Sequence, residues 1–233
     1  NTAYAKKILT QASQELGCPI LLGGYGNRQI NNKYVPTNSA IHVDPHKGMG
    51  KQYDKQFLVP FGEYMPFEKH LSFIYSKINW KSRFHPGDDS VVQKIQNIPY
   101  AFLICYEAIF PSLSRQAVNR GARLLINITF DAWFGRTTAP YQHLMLATIR
   151  SAEMGIPLIR LATTGITTTV NALGEMGDLS SLFKQEVLLY EVPLVYLPTI
   201  YSRIGDIFAW ICIFTTVLSL ILIAFKHQKS PSV

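Results

Sequence analysis

The most apolar part of the chain is a run close to its C-terminus. No residue between Ile207 and Phe225 is charged, and a helix of that length would rise about 28 Å, close to the hydrocarbon thickness of a bilayer. Three hydroxyl side chains within the run, Thr215, Thr216 and Ser219, can bond the backbone of the preceding turn and so do not oppose burial in lipid. A buried core helix is the alternative. We predict a single membrane-spanning helix instead.

The charges that flank this run indicate how it would be oriented. Lys226, His227 and Lys229 follow it, whereas Asp206 precedes it. Basic residues next to membrane spans collect on the cytoplasmic side. We therefore expect the short C-terminal tail to lie in the cytoplasm and the residues before Arg203 to lie on the opposite side.

Shorter apolar runs alternate with helical patterns over the rest of the chain. The predicted strands are 19–26, 40–45, 98–107, 122–130, 157–162, 166–177 and 186–192. The predicted helices are 1–16, 68–77, 111–120 and 141–155, and turns are predicted at 31–33 and 172–175. Residues 51–66 are rich in Pro and Gly and predict a structured loop. This order predicts a layered α/β domain whose sheets are buried between helices.

Composition narrows the class of protein. Hydrophobic residues make up 48% of the chain and charged residues 16%, which excludes a disordered protein. The three cysteines are far apart, which excludes both a disulfide scaffold and a zinc site built on paired cysteines. The net charge of +7 is spread along the chain. It forms no basic stripe for nucleic acid and suits a domain beside anionic lipid.

The helical pattern of residues 1–16 is present from the first residue of the chain. The chain has neither an initiator Met nor a signal peptide, although a domain outside the cytoplasm needs some means of export. We therefore interpret the chain as the C-terminal part of a longer protein.

Cys105 is the first candidate for chemistry, because it follows an apolar strand and precedes a predicted helix. Such a turn lifts a nucleophile out of the sheet and places backbone N–H groups near a developing oxyanion. An inert core cysteine is the alternative.

Lys55 lies in the loop of aromatics and prolines, where an ammonium could lower the pKa of a nearby thiol. A buried lysine needs a carboxylate partner, which Glu63 could supply; a solvated loop lysine is the alternative.

Other polar residues have weaker patterns. Glu107 could orient the turn after Cys105 or could be an ordinary charge at a helix start. His143 is interpreted as a packed or exposed helix histidine, and Arg150 with Glu153 as a structural pair three residues apart. The DAWFG segment that begins at Asp131 indicates a tight turn whose aromatics meet the core, an interface or a bilayer surface.

Five segments then occur in an ordered set. They are KQFLVPFGEYMPF, ICYEAIFP, DAWFG, QHLMLATIRSAE and TGIT. Together they resemble the carbon–nitrogen hydrolase (nitrilase) superfamily, and more closely its membrane branch, the apolipoprotein N-acyltransferases. The resemblance covers the chain from about residue 20 to the final helix. It implies an α-β-β-α sandwich followed by one transmembrane helix: a catalytic domain at 1–203 that is incomplete at its N-terminus, a membrane helix at 204–226 and a basic tail at 227–233.

The resemblance also implies roles for individual residues. Cys105 matches the family's nucleophile, Lys55 its catalytic lysine and Glu63 a second glutamate that supports the site. Tyr106 and Glu107 match the residues that follow the nucleophile. The family's general-base glutamate lies upstream of the helix that opens this chain and is absent here, and Glu15 is in the wrong element to replace it. Two residues beside the site depart from the family: Phe130 and Thr163 stand where asparagine is usual.

The implied reaction is a ping-pong acyl transfer in a bacterial inner membrane, with the catalytic domain on the periplasmic side. Cys105 would take an acyl group from a phospholipid as a thioester and pass it to the α-amine of a diacylglyceryl-cysteine apolipoprotein. No metal or organic cofactor is implied. Without the upstream glutamate, the chain alone is expected to be inactive. The alternatives are a membrane-anchored amidase or nitrilase and a non-catalytic binding module.

Overall fold

A computed structural model of the chain describes residues 2–68, 70, 73, 77, 84–89 and 91–228. The helix predicted at 68–77 falls mostly outside these residues, as do the last five residues of the tail. The helices are α1 (Thr2–Leu16), α2 (Pro111–Asn119), α3 (Ala139–Met154), α4 (Ile200–Ile204) and α5 (Ile207–Gln228). The strands are β1 (Ile20–Ile30), β2 (Lys33–Asp44), β3 (Gly48–Met49), β4 (Tyr53–Asp54), β5 (Val92–Ile95), β6 (Ile98–Ile104), β7 (Leu124–Thr129), β8 (Leu158–Ala162) and β9 (Thr168–Val170).

The first sheet is built on a long antiparallel hairpin of β1 and β2, with β3 and β4 both paired to β2. Its turn is two residues long, since Ile30 pairs with Lys33. Asn31 and Asn32 both have positive φ values, 48° and 62°, which a two-residue turn needs in order to match the twist of its strands. The predicted turn is therefore confirmed, and both strands extend further than predicted.

The second sheet has the order β5-β6-β7-β8-β9. Its three central strands are parallel and its two edge strands antiparallel. Helices α2 and α3 connect the parallel strands, as crossover connections require. Parallel strands are covered on both faces, which explains why β6 and β7 are almost continuously apolar in sequence.

The two sheets pack face to face and each carries helices on its outer side. Between them lies a core of Ala40, Tyr53, Tyr100, Phe102, Ile104, Leu124 and Ile126. A second core, which includes Leu103, Leu125, Ala147 and Met154, lies between the second sheet and α2 and α3. On the opposite side α1 covers the first sheet, where the Ser13 hydroxyl donates to the Val43 carbonyl at 3.2 Å. The predicted α-β-β-α sandwich is confirmed.

One strand prediction near the C-terminus is wrong, and another is confirmed only in part. Residues 186–192 form no strand, and Val187 and Leu189 are almost fully exposed. The run has no partner, because the edge strand β9 is only three residues long and the chain turns at Asn171. That turn, predicted at 172–175, is confirmed, and it leaves only β9 of the strand predicted over 166–177.

Helix α5 stands apart from the sandwich. None of its apolar stretch from Ile207 to Phe225 is buried, and it is long and apolar enough to cross a membrane. Its hydroxyl groups donate to carbonyls of the preceding turn at 2.8–3.0 Å. Two residues separate it from α4, which is docked to the sandwich through Arg115. The guanidinium of Arg115 donates to the carbonyls of Ser202, at 3.2 Å, and Arg203, at 2.7 Å.

Candidate active site

Cys105 ends strand β6 in a backbone conformation that is unusual for its residue type. Its φ is +52°, and the chain continues directly into a 3-10 turn over Cys105–Ile109 and then into α2. A positive φ costs a residue with a Cβ on the order of 1–3 kcal/mol and tends to occur at functional sites. The strand predicted to run to 107 therefore stops at Ile104, and the half-buried thiol lies at a sharp strand-to-helix turn.

Glu107 ties this turn to the loop that carries Lys55. Its carboxylate is fully buried. It accepts hydrogen bonds from the backbone N–H groups of Ile104, at 2.7 Å, and Gln56, at 2.6 Å, and from the Tyr53 hydroxyl, at 2.9 Å. The turn at Cys105 and residues 53–57 thus share one buried acceptor, so Glu107 is a buried link between the two segments rather than an ordinary charge at a helix start.

The burial of Glu107 changes its acidity. Burial raises the pKa of this carboxyl from 4.5 to about 7, against the lowering effect of its hydrogen bonds to Ile104, Gln56 and Tyr53 and of the Lys55 charge. Desolvation therefore outweighs these favourable contacts.

The stability of the protein should depend on pH through Glu107. The folded state binds its proton more tightly than the unfolded chain, so the free energy of unfolding falls as the pH rises from 4.5 towards 7, by about 3 kcal/mol. Glu107→Gln cannot ionise, and its stability relative to the unsubstituted protein should rise over this window. Urea unfolding in mild detergent, followed by near-ultraviolet circular dichroism, measures this difference.

The exposed Glu15, which bonds Gln11 on α1, provides the control. Glu15→Gln should track the unsubstituted protein at every pH. A stability difference between Glu107→Gln and the unsubstituted protein that is constant from pH 5 to pH 8 would contradict the assignment.

Lys55 and Glu63 form a buried ion pair. The Lys55 side chain is 1% exposed, and its Nζ lies 2.7 Å from Oε2 of Glu63. Glu63 also accepts from the Val59 backbone N–H at 2.8 Å and from the Asn38 amide at 2.7 Å. These contacts offset the cost of removing an ammonium group from water. The prediction of a buried lysine with Glu63 as its partner is confirmed.

One cavity of about 320 Å³ brings Cys105, Lys55 and Glu63 together. Phe130 and Thr163, the two departures from the family, line it as well. Among the described lining residues, Glu63 is the one carboxylate, and it is already engaged by Lys55. No second carboxylate in the described part of this cavity stands ready to take a proton from the thiol.

A group of buried polar residues beneath the nucleophile was not predicted. Arg160 donates to Asp131 at 2.7 Å and to Asn127 at 2.5 Å. His143 lies 3.1 Å from Asp131 through Nδ1 and 3.2 Å from the Cys105 carbonyl oxygen through Nε2. The packed position of His143 on α3 agrees with its interpretation, but its contact with the nucleophile's backbone was missed. A sequence signal did exist: Asn127 and Arg160 interrupt otherwise apolar strands.

The neighbours of Asp131 favour the ionised form of its carboxylate. Burial alone would raise the pKa of Asp131. The hydrogen bond from His143 and the charge of Arg160 outweigh it and hold the pKa below its usual value.

The remaining predicted residues lie around the site or away from it. Tyr106 is half-buried and packs edge to face on Phe110, with ring centroids 5.0 Å apart. Arg150 and Glu153 form the predicted pair, at 3.2 Å. Within DAWFG the turn is present at Gly135, whose φ is +57°, and Trp133 is 78% exposed.

The other two cysteines lie away from the site. Cys18 and Cys212 are both exposed and neither lines the cavity. Over the described ranges, no three His, Cys, Asp or Glu side chains are grouped so as to hold a metal ion.

Comparisons with known proteins agree with this architecture. A sequence model of the carbon–nitrogen hydrolase family matches residues 3–199. The chain is 38% identical over 210 residues to an apolipoprotein N-acyltransferase of Geobacter metallireducens, covering 90% of this chain and 40% of that protein. The corresponding protein of Borreliella burgdorferi is 34% identical over 200 residues, covering 84% and 38%. The chain thus spans about two fifths of the length of these relatives.

Solved structures share the fold at lower identity. A carbon–nitrogen hydrolase from Helicobacter pylori superposes with a TM-score of 0.64 at 16% identity, covering 83% of this chain and 68% of that one. An amidase from Nesterenkonia gives a TM-score of 0.61 at 22% identity, covering 87% and 69%. These likenesses concern the arrangement of the sandwich.

Proposed function

Because this chain belongs to the carbon–nitrogen hydrolase family, we propose that it carries the catalytic cysteine and lysine of an apolipoprotein N-acyltransferase. Such an enzyme moves an acyl group from a phospholipid to a lipoprotein during its maturation. The observation that carries the proposal is the shared cavity of Cys105, Lys55 and Glu63, in a domain joined to a helix of membrane length. The names of the relatives support the choice of acyltransferase within the family.

The chemistry has two steps that pass through one covalent intermediate. In the first, the thiolate of Cys105 attacks the carbonyl carbon of a phospholipid ester, the carbon–oxygen bond breaks, and a lysophospholipid leaves with a proton on its oxygen. In the second, the α-amine of a diacylglyceryl-cysteine apolipoprotein attacks the thioester, and the carbon–sulfur bond breaks to return the thiol. Each step is easier than direct transfer, which is the advantage of a covalent intermediate.

Lys55 supplies the positive charge that this chemistry needs. An ammonium group beside a thiol favours the thiolate, and it also stabilises the oxyanion of each tetrahedral intermediate. Glu63 holds the ammonium in place through the 2.7 Å ion pair. Glu107 holds the Lys55 loop and the turn at Cys105 against each other through its buried hydrogen bonds.

The described part of the cavity offers no free carboxylate as a proton acceptor. Among the described cavity residues, Glu63 is the one carboxylate, and its oxygens are taken by Lys55, Val59 and Asn38. We therefore propose that the family's general-base glutamate completes the site and that the 233-residue chain is inactive alone.

Lipid substrates account for the membrane helix and for the exposed aromatic residues. Phe61 and Trp133 are 60% and 78% exposed, on loops adjoining the residues of the cavity. Aromatic side chains are favoured at the headgroup level of a bilayer, so they suit a domain that receives both substrates from the membrane. We propose that α5 anchors it in a bacterial inner membrane, with the sandwich on the periplasmic side and the basic tail in the cytoplasm.

A chimera tests this function. The segment of the Geobacter relative that matches this chain would be replaced by the chain, and the purified chimera in vesicles would be given a phospholipid with a labelled acyl group. We expect a hydroxylamine-sensitive label on the protein, and then transfer of the label to a diacylglyceryl-cysteine peptide. The 233-residue chain alone, in the same vesicles, should show neither.

Each other outcome identifies an alternative. Hydrolysis of small amides without acylation of the protein would favour a membrane-anchored amidase or nitrilase. Binding of the lipopeptide without any turnover by the chimera would favour a non-catalytic binding module. Turnover by the chain alone would contradict the proposal that its proton acceptor comes from elsewhere.

A further inference from the structure

The backbone carbonyl of Cys105 has a dedicated hydrogen-bond donor. Nε2 of His143 lies 3.2 Å from this oxygen, and the amide of Asn127 lies 3.5 Å from it. The residue that carries this carbonyl has the strained φ of +52°. Strain of this kind persists only where surrounding contacts determine the conformation.

The chemistry of the contact fixes the state of Nε2. A carbonyl oxygen can only accept, so Nε2 of His143 must carry a hydrogen. Nδ1 faces an acceptor, Oδ1 of Asp131 at 3.1 Å, and a donor, Nη2 of Arg160 at 3.2 Å. A neutral imidazole can accept from Arg160 and an imidazolium can donate to Asp131. Both charge states keep the hydrogen on Nε2 and the bond to the Cys105 carbonyl.

The partners of His143 are themselves held rigidly. Arg160, Asn127 and Asp131 are all buried, with 0%, 0% and 1% of their surface exposed. Arg160 spans Asn127 of β7 and Asp131 just beyond it, and Asn127 also donates to the Leu103 carbonyl of β6 at 2.9 Å. Residues of three neighbouring strands therefore hold the His143 imidazole, whose Nε2 donates to the Cys105 carbonyl.

A purely structural role would not require such a group. Apolar residues of similar volume usually stabilise a core at least as well as a buried charge network. This network ends at Cys105, whose backbone is left-handed and whose side chain lines the cavity.

We propose that His143 is a positioning residue for the nucleophile: by donating to the Cys105 carbonyl it holds the left-handed turn and keeps the sulfur in the cavity that Lys55 also lines. His143 faces the carbonyl oxygen and acts through the backbone, so it neither takes the thiol proton nor touches substrate. Arg160 and Asp131 hold the imidazole with its Nε2 hydrogen directed at Cys105. The effect on acyl transfer rests on the proposed function, whereas the effect on the thiol does not.

Two substitutions and a matched control separate positioning from packing. His143→Leu removes the donor, while His143→Gln keeps an N–H near the position of Nε2. The control is His42→Leu, because His42 is also buried, at 5% exposed, and its Nε2 has no hydrogen-bond partner among the described residues. Melting temperatures would establish that each variant folds.

The first measurement is the alkylation of Cys105 by iodoacetamide in the 233-residue chain, read by peptide mass spectrometry from pH 5 to pH 10. The exposed Cys18 of the same molecule is the internal reference. In His143→Leu we expect Cys105 to react about tenfold more slowly than in the unsubstituted chain at pH 7, relative to Cys18, because the thiol leaves its position in the cavity. His143→Gln should recover most of the rate, and His42→Leu should match the unsubstituted chain.

The second measurement is thioester formation in the chimera. His143→Leu should lower kcat by about 10²-fold, the usual effect of a misplacement of about 1 Å, and leave KM for the phospholipid within about threefold. A folded His143→Leu variant with the alkylation profile of His42→Leu would overturn the proposal. If the chimera forms no thioester, the proposed function fails while the alkylation profiles still decide the role of His143.

Discussion

Replacement of Cys105 by alanine should abolish acylation of the protein and every later transfer to a lipopeptide. In the proposed mechanism the thiol forms a bond to the acyl carbon in the first step and loses it in the second, so its removal closes the covalent route. In a serine protease that works through an acyl-enzyme, loss of the nucleophile costs about 10⁶-fold in kcat. Labelled phospholipid, electrophoresis and autoradiography of the chimera measure this loss.

The two other cysteines of the chain are the matched controls. Cys18 lies between α1 and β1, and Cys212 lies in α5. Neither lines the cavity, so Cys18→Ala and Cys212→Ala should keep full labelling. Label that persists in Cys105→Ala, or disappears in either control, would place the nucleophile elsewhere.

Replacement of Lys55 by methionine should lower thioester formation by about 10²–10³-fold, the usual effect of removing one group that stabilises an oxyanion. The same change should destabilise the fold. It leaves Glu63, whose side chain is 14% exposed, without its cation, and loss of one partner of a buried pair costs about 3–5 kcal/mol. Single-turnover acylation and urea unfolding measure the two effects separately.

A double substitution distinguishes the charge needed for chemistry from the charge needed for folding. In Lys55→Met with Glu63→Gln no unpaired carboxylate remains, and the one side-chain oxygen of glutamine can still accept from the Val59 N–H. Most of the stability should return while the acylation rate stays low. If the rate recovers with the stability, Lys55 acts through the fold alone.

Much of the fold could be predicted from local patterns. The Asn31 and Asn32 turn, the helix after Pro111 and the apolar parallel strands each follow from residues close together in sequence. The strand predicted at 186–192 shows the limit of such patterns. Its apolar residues suit a strand, but a strand also needs a partner with free N–H and C=O groups, and that depends on where β9 ends.

Some contacts of the candidate site could be predicted from the sequence and others could not. Lys55 and Glu63 could be paired in advance, because they share a loop in which a buried ammonium needs a carboxylate. The contact between His143 and Cys105 could not be predicted, since it joins a helix to a turn 38 residues away. The polar Asn127 and Arg160 in apolar strands marked the neighbourhood, but nothing in their spacing indicated the carbonyl that they serve.

The short connection between α5 and the sandwich affects how membrane substrates would reach the cavity. Arg115 fastens α4 to the domain, and two residues later α5 begins. With α5 in a bilayer, so short a connection keeps the domain within a few ångströms of one lipid leaflet. Under the proposed function, encounters with donor and acceptor would then be confined to two dimensions, and the rate would depend on how many molecules occupy each unit of membrane area rather than on how many are dissolved in a volume.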